Sequence, residues 1–174
     1  MISLLVAYTK NKRVIGAQGK IPWKLSSERN RFKEICAGKY VIMGRKSYEE
    51  IGHPLPYCNL VIVSRKPSRP STSSGTANCV SGTAGTLIFC KSLEDALNYC
   101  KSQNQEEILI AGGGTIYEQT LPYADKIYAT EIDANFDGDV FFPELGPEWV
   151  GTIDEVRADG GISYKYLTFQ KNTI

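Results

Sequence analysis

Tyr40-Val41-Ile42-Met43-Gly44-Arg45-Lys46-Ser47 is a short apolar run that stops at a glycine and hands over to two cations and a hydroxyl. Two later stretches repeat the pattern. Leu60-Val61-Ile62-Val63 leads into Ser64-Arg65-Lys66, and Ile108-Leu109-Ile110-Ala111 leads into Gly112-Gly113-Gly114-Thr115. Ile2 to Tyr8 and Lys126 to Thr130 are further runs of this kind. All are near-continuously apolar rather than alternating, which is how strands covered on both faces read. Helical spacing fills the intervals: Leu93, Ala96, Leu97 and Cys100 form one stripe behind Ser92, with Asp95 placed as in a capping box. This alternation predicts an α/β fold with a mostly parallel central sheet flanked by helices. Trp149 to Val156 and Ile162 to Phe169 bracket Ala158-Asp159-Gly160-Gly161, which predicts an antiparallel C-terminal hairpin at the sheet edge. Lys66 to Gly85 is dominated by Ser, Thr, Gly and Pro and reads as a mobile surface loop. No repeat or linker divides residues 1–174, so a single domain is expected.

Composition excludes several function classes. With 174 residues, 42% of them apolar, the chain can bury a core without a disulfide or a metal. Its 20 Lys+Arg against 19 Asp+Glu leave a net charge of +1, which argues against nucleic-acid binding and against a polybasic membrane contact. The cysteines at 36, 58, 79, 90 and 100 lack C-x-x-C spacing, so reduced thiols and no metal site are expected. The apolar run after Met1 has no charged leader before it and is too short to span a bilayer. A soluble, cytoplasmic monomer acting on small molecules is the expectation.

Ligands of open α/β sheets bind outside the carboxyl ends of the strands. The three repeated exits place Arg45, Lys46, Arg65 and Lys66, the hydroxyls of Ser47 and Ser64, and a glycine-rich helix start along one rim. Small residues let backbone N–H groups approach a pyrophosphate, and a helix start adds partial positive charge. The glycine run misses the G-x-G-x-x-G fingerprint, because Tyr117 occupies its last position. Each piece also has a plainer reading: Ser47 with Glu50 as a capping box, Arg45 and Lys46 as a solvated turn, Gly112 to Gly114 as a tight exit. Repetition on successive strand ends favours the ligand reading.

A second constellation runs from Gly16 to Glu28. Leu25, Glu28, Phe32 and Ile35 are spaced three, four and three apart, so Glu28 lies on the apolar face of a helix starting near Ser26 or Ser27. Burial would raise its pKa and the helix start would lower it, leaving the direction open. A first-turn acid rotated outward is the alternative. Trp23 could be an ordinary core aromatic, and Gly16 with Gly19 could hinge a lid.

These residues resemble the dihydrofolate reductase family along nearly the whole chain. The resemblance rests, in order, on Val14-Ile15-Gly16, Ile21-Pro22-Trp23, the helix with Glu28 and Phe32, Val41 to Ser47, Ile51-Gly52-His53-Pro54-Leu55-Pro56, Gly112-Gly113-Gly114 with Ile116-Tyr117, Thr130-Glu131-Ile132-Asp133, and Gly138-Asp139 before Phe142-Pro143. It implies NADPH-dependent reduction of 7,8-dihydrofolate to 5,6,7,8-tetrahydrofolate, with hydride transfer to C6 of the pterin and protonation at N5. By the same resemblance Glu28 is the sole ionisable group of the pterin pocket, bound to the 2-amino and N3 edge and supported by Thr130. Trp23 helps order water there. Leu5, Ala7, Phe32, Ile51, Leu55 and Ala111 line the pocket, and Tyr117 sits near the nicotinamide. Gly16 to Lys20 form the closing loop. Arg45, Ser47, Ser64, Arg65 and the Gly113-Gly114-Thr115-Ile116 helix start hold NADPH, joined by Ala7, Ile15, Gly16, Lys20, Gly44, Lys46, Gly112 and Tyr117. His53 reads as a surface turn residue.

Cys58 departs from the pattern, standing where the family places an arginine for the α-carboxylate of the folate glutamate tail. Arg29, about 100° around the helix from Glu28, is the first candidate to replace it, and Lys33 one turn further is the second. The loop before Gly85 is a second departure, on the adenosine side. Two enzyme alternatives share the fold, a reductase of a tail-less dihydropterin and a reductase of a riboflavin-pathway pyrimidine. A non-catalytic nucleotide-binding module is a third, disfavoured by an acid on an apolar helix face.

Overall fold

A computed structural model describes residues 1–66, 79–81 and 87–172. The run after Met1 forms the central strand β1 (Ile2–Thr9), buried over nearly its whole length. Successive side chains alternate between two cores: Leu4, Val6 and Tyr8 enter one, Leu5 the other. The remaining strands are β2 (Val14–Gly16), β3 (Tyr40–Gly44), β4 (Asn59–Val63), β5 (Cys79–Ser81), β6 (Leu87–Cys90), β7 (Ile108–Ile110), β8 (Lys126–Asp133), β9 (Val140–Phe141), β10 (Trp149–Asp159) and β11 (Ile162–Lys171). The helices are α1 (Ser26–Cys36), α2 (Arg45–Ile51), α3 (Leu93–Ser102) and α4 (Gly114–Thr120).

Nine strands form one sheet in the order β10-β11-β8-β1-β7-β3-β4-β6-β5. The stretch from β8 to β6 is parallel. The expected C-terminal hairpin is present, with β11 antiparallel to both β8 and β10. A second antiparallel edge was not expected: β5 lies inside the stretch read as a loop and pairs with β6. The rest of that stretch beyond Lys66, 67–78 and 82–85, lies outside the described residues. β2 and β9 make a small separate sheet.

The anticipated cap on α3 forms, Ser92 Oγ accepting from Asp95 N at 3.0 Å, a contribution of about 1 kcal/mol. The capping box at Ser47 does not, because Gly44 is the N-cap and Ser47 sits inside α2. Reduced thiols hold for Cys36, Cys58 and Cys100, which are free and buried. Cys90 instead is disulfide-bonded. The register sets Cys79 opposite it across the β5–β6 pair; C-x-x-C spacing tests only local proximity.

A polar staple ties the amino ends of the central strands together. Glu107 Oε1 accepts from Ser3 Oγ at 2.6 Å and from Tyr128 OH at 3.1 Å, and Oε2 accepts from Lys39 Nζ at 2.5 Å. Burial alone would raise the Glu107 pKa, but the Lys39 and Ser3 hydrogen bonds and the Lys39 charge outweigh it and hold the carboxyl below its usual value. Among the described residues no helix is long and apolar enough to cross a membrane.

Candidate active site

At the opposite, carboxyl ends of the strands lies a cavity of about 540 Å³. Leu5, Val6 and Ala7 of β1, Met43 of β3, and Ala111 to Gly113 beyond β7 contribute to its walls, and α1 adds Glu28, Arg29 and Phe32. The C-terminal hairpin seats α1. Asp159 Oδ2 accepts from Ser26 N at 3.1 Å, and the Ser27 and Tyr164 hydroxyls pair. Arg31 stacks over the Tyr166 ring at 4.1 Å and donates to Ala129 O at 2.7 Å and to Thr130 Oγ1 at 3.2 Å. With that face docked on β8 and β11, the helix presents Glu28 and Phe32 to the cavity, as the 3-4-3 spacing predicts.

Glu28 receives no hydrogen bond from the described residues, and the charges acting on it are those of Arg31 and Arg29. Burial raises its pKa above the ordinary carboxylate value, and the charges of Arg31 and Arg29 offset this only in part. That settles the direction the sequence left open. The cavity's other acid, Glu50, is already engaged: Oε1 accepts from Ile21 N at 2.6 Å, which anchors the segment entering Trp23. Trp23 is buried and tilted against Phe136. Tyr117 closes the far wall, its hydroxyl donating to Leu5 O at 2.7 Å.

The three repeated strand exits do come together, because β7, β3 and β4 are neighbours in the sheet. Gly44 N donates to Gly112 O at 2.8 Å. A Cβ on Gly44 would meet Gly113 N at 3.5 Å and Ile116 Cγ1 at 3.4 Å, so the exits touch backbone to backbone. Gly112 has φ +123 and joins Gly113 through a cis peptide. Ser47 Oγ faces this pair, 3.2 Å from where a Cβ of Gly113 would lie. Arg45 Nε is paired with Glu49 Oε1 at 2.6 Å on the surface. Lys46 and Arg65 are exposed. Ser64 is buried and spends its hydroxyl on Lys66 O at 2.8 Å. Gly16 to Lys20 make a tight turn, closed by Ala17 N to Lys20 O at 2.8 Å.

Residues 1–171 match the family described as dihydrofolate reductase. The chain belongs to that family. It is 38% identical over 156 residues to the dihydrofolate reductase of Haemophilus influenzae, covering 89% of this chain and 87% of the relative. The Bacillus subtilis dihydrofolate reductase is 35% identical over 178 residues, covering 98% and 95%. The type 3 dihydrofolate reductase of Salmonella typhimurium is 37% identical over 144 residues, covering 83% and 79%.

Of the positions that the dihydrofolate reductase resemblance singles out, the cavity collects Leu5, Ala7, Trp23, Glu28, Phe32, Ile51, Leu55, Ala111 and Tyr117, with Ile15, Ser47, Gly112 and Gly113; Arg29, a candidate from its place on the helix, lines it too. Gly16, Lys20, Gly44, Arg45, Lys46, Ser64, Arg65, Gly114, Thr115 and Ile116 lie outside its lining. So does Thr130, whose hydroxyl oxygen accepts from Arg31, the arginine whose charge acts on Glu28. Sequence reasoning missed Val6, Ile21, Met43, Glu50 and Tyr57, which also line the cavity. His53, read as a turn residue, is exposed but borders the cavity, its ring Nδ1 3.0 Å from Pro54 O. Arg31 was missed as well, because its partners Ala129, Thr130 and Tyr166 come from β8 and β11, far along the chain.

Proposed function

We propose that this protein reduces 7,8-dihydrofolate to 5,6,7,8-tetrahydrofolate with NADPH, and that Glu28 is its central catalytic residue. The observation that carries the reading is a carboxylate that accepts no hydrogen bond from the described residues, in a largely apolar cavity. Folding alone would leave such a group unpaired at a cost, whereas a pterin offers its 2-amino and N3 donors side by side. Phe32, Leu5, Ile51 and Leu55 suit the flat ring by being apolar. NADPH supplies the hydride that C6 receives. Glu28 fixes the ring by that two-point contact and, as an anion, favours the protonated state at N5, with water delivering the proton. Trp23 and Tyr117 narrow the site and limit the water that enters it.

The strand exits fit a dinucleotide. The absence of side chains at Gly44, Gly112 and Gly113 lets a ligand come close to the backbone beside Ser47, which is the requirement for close approach of a pyrophosphate. Arg45 and Arg65 stand exposed at neighbouring exits, where they can meet a 2′-phosphate. The chemistry needs only small molecules and is compatible with a cytoplasmic monomer.

NADPH oxidation followed by absorbance in the presence of dihydrofolate tests the proposal. Turnover is expected, with kcat/KM for NADPH exceeding that for NADH by more than ~10-fold and the preference weakening in salt. No turnover with dihydrofolate would overturn the substrate. Equal kcat/KM for the two cofactors would overturn the roles of Arg45 and Arg65.

A further inference from the structure

Glu28 acts as an anion in the reading above, yet its cavity does little to keep it ionised. The walls are largely apolar, and the other titratable groups that line it besides Arg29 are Glu50 of α2, His53, Tyr57 and Tyr117 of α4. Two cations act on Glu28, Arg29 and Arg31 of its own helix. Arg29 is exposed, where solvent and salt screen a charge. The Arg31 side chain is only 12% exposed, and a charge at that depth is screened far less. It stands three residues beyond Glu28 on α1, a spacing that sets side chains about 5–6 Å apart at Cβ. Its guanidinium is committed to other groups. It donates to Ala129 O at 2.7 Å and to Thr130 Oγ1 at 3.2 Å on β8, lies 4.1 Å from the centre of the Tyr166 ring on β11, and reaches Asp154 Oδ2 of β10 at 3.7 Å. Glu155 of β10 also acts on it, and Arg157 of β10 approaches the same ring at 5.5 Å. The register sets Thr130 between Ala7, which lines the cavity, and Tyr166. Arg31 is therefore anchored one strand behind the cavity wall, near Glu28 but without a hydrogen bond to it.

We infer that Arg31 is a positioning residue for the reduction: anchored on Ala129, Thr130 and Tyr166, it supplies Glu28 with a fixed positive charge from behind the cavity wall and leaves both carboxylate oxygens to the pterin. A direct ion pair would occupy the oxygens that the 2-amino and N3 donors need. No cation at all would leave burial unopposed and favour the neutral acid. The Tyr166 ring face and the Asp154 carboxylate stabilise the buried guanidinium on its other sides, so Arg31 stays in place without bonding Glu28. This inference rests on the reading of Glu28 as the anion that fixes the ring, and adds the group that keeps it an anion.

The test follows Glu28 itself, by carboxyl ¹³C NMR titration of the ligand-free protein, with Glu28→Gln identifying the resonance. Arg31→Gln keeps a hydrogen-bond donor for Thr130 but drops the charge, and should raise the Glu28 midpoint by about 1 pH unit. Arg31→Lys keeps the charge and should raise it by less than about 0.3 unit. Tyr166→Leu removes the ring beneath Arg31 and should raise it by about half a unit, which carries the test if Arg31→Gln does not fold. In turnover of dihydrofolate, the ratio of native to Arg31→Gln kcat/KM should approach ~10 in acid and fall below ~2 near pH 8, the pattern of a one-unit shift. An unmoved midpoint in Arg31→Gln, or in Tyr166→Leu where Arg31→Gln does not fold, overturns the inference and leaves the reductase reading in place. So does an equal rise in Arg31→Lys and Arg31→Gln. A kcat/KM ratio independent of pH overturns it too, since lost packing rather than lost charge would then account for the loss. Near-native turnover by Glu28→Gln overturns the reading of Glu28 and the inference with it.

Discussion

Glu28 and Glu107 stand at opposite ends of the same parallel strands, both partly buried, and they have been treated in opposite ways. Glu107 accepts from a lysine, a serine and a tyrosine and is held below the ordinary carboxylate range. Glu28 accepts nothing from the described residues, and burial pushes it above that range. Glu28 is also the more deeply buried of the two, so its burial goes largely uncompensated, whereas the donors around Glu107 outweigh a smaller desolvation; burial and partners together set the sign. A carboxylate whose partners are supplied by the chain belongs to the fold. One whose partners are withheld, in a cavity of about 540 Å³, is available to a ligand.

The strongest way to break this contrast is Glu28→Gln. The amide fills the same space but cannot carry the charge that favours N5 protonation, so kcat at neutral pH should fall by roughly 10²–10⁴-fold. Steady-state rates with dihydrofolate measure this directly. Near-native kcat at pH 7 would make Glu28 a structural acid like Glu107 and sink the mechanism.

Replacing the other glutamate should reverse the pattern, with stability lost and catalysis kept. Glu107→Ala leaves Lys39, Ser3 and Tyr128 without their shared acceptor, and a loss of about 2–3 kcal/mol is expected in urea unfolding. Because the folded pKa of Glu107 is depressed, its contribution is fully present above the unfolded value of ~4.3 and disappears as pH falls through the folded value. The gap between native and variant stability should therefore close in acid. A gap independent of pH would mean that packing rather than charge accounts for the effect, and a large drop in kcat/KM would tie this end of the sheet to the site.

The two ends also differ in how far they could be read from the chain. Glu28 was legible because helix geometry is local: three residues set at intervals of three and four place it on an apolar face before any tertiary contact is known. Tyr40 to Met43, Leu60 to Val63 and Ile108 to Ala111 were legible for a similar reason, since strands covered on both faces must be apolar throughout. Glu107 was not, because its partners Ser3, Lys39 and Tyr128 lie 104, 68 and 21 residues away. Arg31 escaped for the same reason, its role being set by β8 and β11. Leu87 to Cys90 has the apolar pattern but is only four residues long beside a polar stretch. β5 has almost no hydrophobic pattern of its own and is defined by pairing with its neighbour.

The smallest effect is the most discriminating. A group whose folded pKa is raised contributes stability that is fully present below its unfolded pKa and is lost as pH rises through the folded value. At neutral pH the ionised, unpartnered Glu28 therefore opposes folding of the ligand-free protein, and Glu28→Gln should relieve it. The relief is limited, because the amide loses the attraction of Arg31 and Arg29 and has polar atoms of its own to satisfy. A gain of about 0.5–1 kcal/mol is expected at pH 7, corresponding to a Tm rise of roughly 1–4 °C for a chain of this size. The gain should shrink as the pH is lowered and native Glu28 takes up its proton. Melting curves of both proteins at neutral and acid pH supply the comparison. If Glu28→Gln destabilised the protein at pH 7, the carboxylate would have partners within the fold after all, and the distinction between the two ends of the sheet would collapse.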